Sequence, residues 1–226
     1  MTATYTQLPV SDLLISEFMA INDTVLSTVV AGQTLYPDWI EIRNFSGASI
    51  DLAGWYLTDD PEDLTKWPLP AIRLAGGEAL VVFASRIEQA DDPDNWPYRD
   101  DVGFYHTNFA LDSEGEYLAL VRPDLQVAHQ YGSPEDDEPG YPAQQSDLSY
   151  GLFGSEMQYF TDPSPGSANG PGYIGVSEPP VFSHRGGTFS EYILLDLSSP
   201  SPNAEIRYTT DGRVPGASSR SYSDAL

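Results

Sequence analysis

The sequence predicts an all-β protein, and three observations lead to this class. The 226-residue chain contains 19 glycines and 19 prolines, which divide it into short apolar runs. Few windows longer than ten residues keep the 3.6-residue period of an amphipathic helix. The apolar runs follow one another at the spacing of strands in a sandwich of about seven strands. A chain of this length buries roughly 70% of the surface that it exposes when unfolded, so a substantial core is available.

Six segments in the first part of the chain are predicted to be strands. They are 13–19, 38–44, 49–57, 79–84, 116–122 and 126–131. The first of them has an alternative, because Leu13, Leu14, Phe18 and Ile21 would also share one face of a helix. The residues by themselves leave that choice open.

Alternation along the segment 38–44 predicts which side chains face the core. Ile40 and Ile42 share one face and are expected inside, whereas Trp39, Glu41 and Arg43 share the other face. We expect that second face to be solvent-exposed. A Glu41–Arg43 ion pair on it would contribute at most about 1 kcal/mol to stability.

A change of composition divides the chain. Residues 161–172 contain almost no large apolar side chains and are predicted to be a domain end or linker. Beyond them, alternating residues around 193–197 and 204–212 predict two further strands, the second ending in the turn Asp211-Gly212. We therefore expect one domain over 11–170 and a second, incomplete small β-sandwich over 177–226, in which only two or three strands are present.

Charge and composition limit the partners. The chain has 34 acidic and 10 basic residues, a formal net charge of −24. Such a chain repels nucleic-acid phosphates and anionic lipid, so neither is an expected partner. The absence of cysteine excludes disulfides and thiolate sites. The sequence encodes no recognisable signal peptide and no run of eighteen apolar residues, so membrane insertion is not expected.

Acidic clusters suggest calcium as a possible cofactor, because calcium takes six to eight oxygen ligands. The clusters lie at 59–63, 91–94 and 135–138, and none has the spacing of an EF-hand loop. The alternative is that they are solvated loops. The candidate calcium ligands are Asp91, Asp92, Asp94, Asp136, Asp137 and Glu138.

Aromatic side chains are the other candidate binding residues. Trp39, on the second face of its strand, and Trp96, in an acidic loop, could stack on a sugar ring or other ligand. The alternative for both is packing within the protein. His106, His129 and His184 form no zinc-binding pattern, and no Gly-x-Ser-x-Gly elbow marks a nucleophile. The 34 acidic residues are numerous enough to contain a catalytic carboxylate pair. Acids in exposed loops do not favour catalysis, however, so the chain is not expected to be an enzyme.

Several segments in order carry a family resemblance over 11 to about 170. They are Ile15–Phe18, Asp38–Asn44, Trp55–Asp59, Gly76–Ser85, His106–Leu111, Gly115–Leu120 and Pro163–Asn169. With these the chain resembles the lamin tail domain, an immunoglobulin-like β-sandwich. The resemblance favours a strand at 13–19 and implies packing roles for Trp55 and His106. It also implies a binding or spacing unit.

A second resemblance rests on Ser183–Phe189 and Ala204–Gly212. These segments are similar to the C-terminal module of chitobiase and β-hexosaminidase type proteins. The pair of modules implies a non-catalytic binding or spacer segment of a larger exported or surface bacterial protein, with linked downstream domains and a protein or glycan partner. One alternative is a calcium-assisted carbohydrate-binding or adhesion module. Another is an accessory part of a hydrolase or kinase-like enzyme encoded downstream.

Overall fold

A computed structural model describes residues 11–30, 32–133, 140–202, 204–216 and 218–226. The chain divides into two compact units, one ending at Ile174 and one beginning at Gly175. All regular elements of the described residues are strands, which confirms the all-β class. In chain order they are β1 (Leu13–Met19), β2 (Thr28–Val30), β3 (Gln33–Leu35), β4 (Asp38–Asn44), β5 (Ile50–Asp51), β6 (Tyr56–Thr58), β7 (Trp67–Pro68), β8 (Arg73–Leu74), β9 (Ala79–Ala84), β10 (Tyr105–Thr107), β11 (Leu118–Val121), β12 (Val127–Tyr131), β13 (Ser149–Phe153), β14 (Glu156–Phe160), β15 (Val181–Phe182), β16 (Leu197–Ser198), β17 (Arg207–Tyr208) and β18 (Arg220–Ser221).

Two sheets form the sandwich of the first unit. The larger has the order β10-β9-β4-β1-β13-β14, and the smaller has the order β12-β11-β6-β7. Neighbouring strands are antiparallel, except that β10 runs parallel to β9. Two short pairs, β2 with β3 and β5 with β8, lie beside the sheets. Contacts of β1 with β11 and β12 join the two sheets.

The main core lies between these sheets. Ile40 and Ile42 of β4 enter it from the larger sheet, and Leu57 of β6, Leu118 and Leu120 of β11 enter it from the smaller one. All five side chains are fully buried. Burial of each contributes roughly 1.5–3 kcal/mol, so these strands hold the sandwich together. The predicted inward face of 38–44 is confirmed.

A β-bulge in β1 explains why its sequence also fitted a helix. The register with β4 shifts between Ile15 and Glu17, so that Ser16 is the extra residue. Ile15 precedes the shift and Phe18 follows it, and both face the main core although their spacing is odd. Without the bulge, strict alternation would place Glu17 in that core. The bulge therefore turns a carboxylate to the other face of the sheet.

The second face of β4 is not solvent-exposed, which corrects the prediction. Trp39 and Glu41 have no exposed surface, and Arg43 is 8% exposed. Trp39 forms a second small core with Met19 and Phe83, against which part of the loop before β2 and the residue before β10 also pack. Alternation fixes which residues share a face, but a loop can cover that face.

Three predicted strands of the first unit have different bounds in the structure. The segment 49–57 contains two strands, β5 and β6, because Trp55 N donates to Leu52 O at 3.1 Å and closes a turn. Gly54 has a φ of +78° within that turn, a conformation that favours glycine. The other two, β11 and β12, are shorter than predicted.

Residues 163–172 belong to the first unit, and we call them the strap. They follow β14 and lead to Tyr173, which exchanges two main-chain hydrogen bonds of 2.8 Å with Tyr159. The low apolar content of these residues predicted a domain end or linker. In the structure, polar contacts hold the strap to the rest of the first unit.

The second unit contains two strand pairs, β15 with β16 and β17 with β18. Gly212 has a φ of +79° in the predicted Asp-Gly turn, and Arg213 N donates to Asp211 Oδ1 at 3.1 Å. Large apolar side chains such as Tyr192 and Val214 are exposed. In neither unit does a described segment form a helix long and apolar enough to cross a bilayer.

Candidate functional site

Two buried carboxylates face the strap on the outer side of the larger sheet. Glu17 of β1 and Glu41 of β4 are directly paired across neighbouring strands. Both are fully buried. The bulge at Ser16 places Glu17 on this side, and alternation places Glu41 there. The result is a carboxylate pair of the kind that acid–base catalysis could use.

The strap occupies the oxygens of this pair. Ser164 N donates to Glu17 Oε1 at 3.1 Å, and Ser164 Oγ donates to Glu17 Oε2 at 3.0 Å. Gly166 N donates to Glu41 Oε2 at 2.6 Å. From the sheet itself, Ser149 Oγ donates to Glu17 at 2.5 Å. These donors satisfy the buried carboxylates without a ligand.

Arg43 completes the contact between sheet and strap. Its Nη2 and Nε lie 2.9 and 3.1 Å from Glu41 Oε1, and its Nη1 donates to Gly77 O at 3.0 Å. Nη2 also donates to the main-chain oxygen of Ser167. The predicted Glu41–Arg43 pair therefore exists, but it is buried and not on the surface. A buried pair stabilises only while all its partners are present.

Burial changes the proton affinity of the carboxylate of Glu17. Loss of solvent raises its pKa above the ordinary value, hydrogen bonds from Ser149 and Ser164 partly lower it, and the nearby charge of Glu41 raises it further. The strap therefore opposes part of the rise in pKa that burial causes at Glu17.

A second polar array joins Ser85, His106 and Asp100. Ser85 Oγ lies 3.0 Å from His106 Nδ1, and His106 Nε2 lies 3.0 Å from Asp100 Oδ2. A neutral ring with its proton on Nε2 satisfies both contacts. Burial lowers the pKa of His106, although Asp100 opposes the shift. These residue types also form catalytic triads, but here the ring is a buried connector, consistent with the packing role expected for His106.

Asp100 holds the loop before β10. Its Oδ1 accepts hydrogen bonds from the main-chain nitrogens of Val102, Gly103 and Phe104 at 3.0, 2.7 and 2.8 Å. Thr28 Oγ1 donates to Oδ2. Burial raises the pKa of Asp100, but hydrogen bonds outweigh burial and leave the pKa below its ordinary value; they come from Thr28, His106, Phe104 and Gly103. The array fixes the loop that covers part of the second core.

An open cleft of about 250 Å³ lies where several loops of the first unit meet. Side chains of both charges line it. The lining residues are Asp59, Lys66, Arg86, Glu88, Asn108, Phe109, Ala110, Asp112 and Glu116. Lys66 Nζ is 2.5 Å from Asp59 Oδ1. Sequence reasoning did not bring these residues together; the one available signal was that Lys66 is the only lysine of the chain.

The two candidate stacking residues are not open platforms. Trp39 has no exposed surface, so the expectation that it could stack on a ligand is wrong. Trp96 is partly buried and packs against the main core. Stacking by Trp96 stays a prediction. Trp55 is buried in the main core, as the resemblance implied.

The calcium candidates are not gathered into one site where the structure describes them. Asp91 Oδ2 accepts a hydrogen bond from Glu88 N at 3.0 Å and so closes a turn. Among the described residues, no group of three or more histidine, cysteine or acidic side chains could hold a metal ion. Asp136, Asp137 and Glu138 lie outside the described residues. Calcium binding stays a prediction.

Comparison with protein families agrees with both resemblances and with their order. The model of the Lamin Tail Domain matches residues 6–134, and the model of the Chitobiase/beta-hexosaminidase C-terminal domain matches residues 184–226. Searches of curated proteins and of solved structures found no match. The first unit continues beyond the first match with β13, β14 and the strap. Because that match spans more than half of its length, the chain belongs to the lamin tail domain family.

Proposed function

We propose that the chain is a non-catalytic binding or spacer segment of a larger exported or surface protein. One observation carries the proposal: the side chains of catalytic residue types already have hydrogen-bond partners within the protein. Glu17 and Glu41 hold the strap, and Ser85, His106 and Asp100 hold a loop. In these positions the groups stabilise the fold of the first unit.

The geometry of the carboxylate pair supports this role. A general acid or base must come within about 2.6–3.2 Å of the substrate atom with which it exchanges the proton. Ser164 and Gly166 already occupy those positions on Glu17 and Glu41. A substrate would have to displace the strap, and each hydrogen bond to a charged group is worth about 1.5–3 kcal/mol.

The matched families also support the proposal. The second is described as a C-terminal domain of chitobiase and β-hexosaminidase, which suits an accessory segment of an extracellular protein. The two compact units suit a segment that separates or presents other domains.

The test compares stability with turnover in the full chain. Glu41→Gln and Ser85→Ala are each paired with a substitution of the same type at an exposed residue, Glu62→Gln and Ser155→Ala. We expect Glu41→Gln to lower the free energy of unfolding by about 3 kcal/mol, because it leaves Arg43 buried without a charged partner. We expect no turnover of chromogenic glycosides or esters by any variant. Turnover by the native chain that Glu41→Gln or Ser85→Ala abolishes, and the paired control retains, would contradict the proposal.

A further inference from the structure

The cleft around Lys66 is built from the ends of three strands. Asp59 follows β6, Lys66 precedes β7, and Asn108 follows β10. Its volume of about 250 Å³ lies below the roughly 300–1,000 Å³ of pockets for drug-sized ligands. The cleft therefore suits one small polar group.

Hydrogen-bond donors and acceptors line the same cleft. Four acidic side chains offer carboxylate oxygens, whereas Lys66 and Arg86 offer only donors; the acids are Asp59, Glu88, Asp112 and Glu116. An anion would be repelled by the first set and a cation by the second. A hydroxyl group both donates and accepts, so a ring that carries several hydroxyls can match both sets at once.

Asn108 supplies an acceptor without a partner. Its Nδ2 donates to Lys66 O at 3.0 Å, which fixes the amide plane. Its Oδ1 is buried and has no hydrogen-bond partner among the described residues. An unpaired buried carbonyl oxygen is unfavourable, and a donor from a ligand would satisfy it.

The side chain of Lys66 is positioned before any ligand arrives. Its ammonium lies 2.5 Å from Asp59 Oδ1, and it also lies 5.8 Å from the centroid of the Phe109 ring. The Asp59 contact is a charge-assisted ion pair, so Asp59 Oδ1 holds the ammonium in place. A lysine held in this way loses little freedom on binding.

We propose that this cleft binds one neutral, hydroxyl-rich ring, a single sugar residue. Asn108, Asp59 and Glu116 accept from its hydroxyls, and Lys66 and Arg86 donate to them. The proposal rests on the proposed binding role of the segment and assigns that role to the first unit. For a ring of about twelve heavy atoms we expect a Kd of about 1–10 mM.

The single lysine provides the reporter. Uniform ¹³C and ¹⁵N labelling gives two NMR signals without altering either side chain, the Lys66 Cε–Hε resonance and the Asn108 side-chain amide. The probes are glucose, galactose, mannose, xylose, fucose and two N-acetylhexosamines, with acetate and ethylammonium as charged controls, each titrated to about 100 mM. Asn108→Ala is compared with Gln126→Ala, which removes an exposed amide side chain elsewhere. Tryptophan fluorescence checks that both variants are folded.

We expect at least one sugar to shift both signals saturably, with no loss in about 0.5 M salt because the ligand is neutral. Asn108→Ala should weaken binding by about tenfold or more, whereas Gln126→Ala should leave it unchanged. The proposal is overturned if no sugar of the panel shifts the signals, if Asn108→Ala binds as well as the native chain, or if only acetate or ethylammonium binds. Failure here leaves the spacer role standing, since that role is tested by turnover.

Discussion

The contact between the strap and Glu41 makes Gly166 a sensitive position. Gly166 N donates to Glu41 Oε2 at 2.6 Å, and Gly166 has a φ of +83°. Gly166→Pro removes the donor and cannot adopt that φ, because proline is fixed near −65°. Loss of a hydrogen bond to a charged group costs about 1.5–3 kcal/mol, and backbone strain adds about 1–3 kcal/mol. We expect a total loss of about 2.5–6 kcal/mol.

Two glycine-to-alanine variants separate the contributions. Gly166→Ala keeps the N–H, and its new Cβ would meet no atom within 4 Å, so only the unfavourable φ remains, about 1 kcal/mol. Gly170→Ala lies in the same strap, has no positive φ and also meets no atom within 4 Å. We expect it to be nearly neutral. The difference between Gly166→Pro and Gly166→Ala then reports the hydrogen bond to Glu41 together with the extra strain of proline.

The assay is urea unfolding of the full chain, followed by tryptophan fluorescence. All four tryptophans lie in the first unit, so the signal reports that unit alone. A loss of about 2.5 kcal/mol or more is a large part of the total of about 5–15 kcal/mol typical of domains. If Gly166→Pro were no less stable than Gly166→Ala, the strap would not be held through Glu41, and the structural role of the carboxylate pair would be refuted.

Three further predictions concern protonation and local stability. Burial lowers the pKa of His129 to about 4, so stability is lost as pH falls below 6.5, by up to about 3 kcal/mol near pH 4. His129→Phe should reduce that loss in urea unfolding at pH 7.5 and pH 5, and an unchanged difference would contradict it. Burial raises the pKa of Asp38 to about 7, so stability falls as pH rises from about 4 to 7. In urea unfolding, Asp38→Asn should therefore raise the free energy of unfolding more at pH 8 than at pH 5, by about 1 kcal/mol after solvent screening, and an equal change at both pH values would contradict this. Residues 177–226 should exchange amide hydrogens faster than 11–170, because their strands are two residues long; equal protection in hydrogen-exchange mass spectrometry would refute this.

Local sequence patterns predicted the larger strands well. The segments 13–19, 38–44 and 79–84 coincide with β1, β4 and β9. Alternation also placed Ile40 and Ile42 correctly, because inward-facing residues are set by the two-residue period of a strand. These features depend only on neighbouring residues, which a single sequence contains.

The burial of the second face could not be read in the same way. Trp39, Glu41 and Arg43 share that face by alternation, but the groups that cover it come from distant parts of the chain. The sequence of a strand does not indicate which loop will cover it. A tryptophan beside a glutamate and an arginine on one face was a usable signal, since a large ring is seldom left fully exposed.

The cleft around Lys66 was even harder to predict, because its lining loops meet only in the folded protein. Its lining runs from Asp59 to Glu116 and comes from loops, whose paths the sequence does not fix. In the sequence, only the single lysine, Lys66, distinguished this region.

The long separation between Glu17 and the strap has a consequence for synthesis. Ser164 follows Glu17 by 147 residues. At about 5–20 residues per second, a ribosome needs roughly 7–30 s to supply the strap after Glu17 has been made. Until then the two carboxylates lack the donors that the strap supplies from Ser164 and Gly166. The first unit therefore cannot complete its fold while the chain is being elongated through β14, and any factor that binds the nascent chain has that interval in which to act.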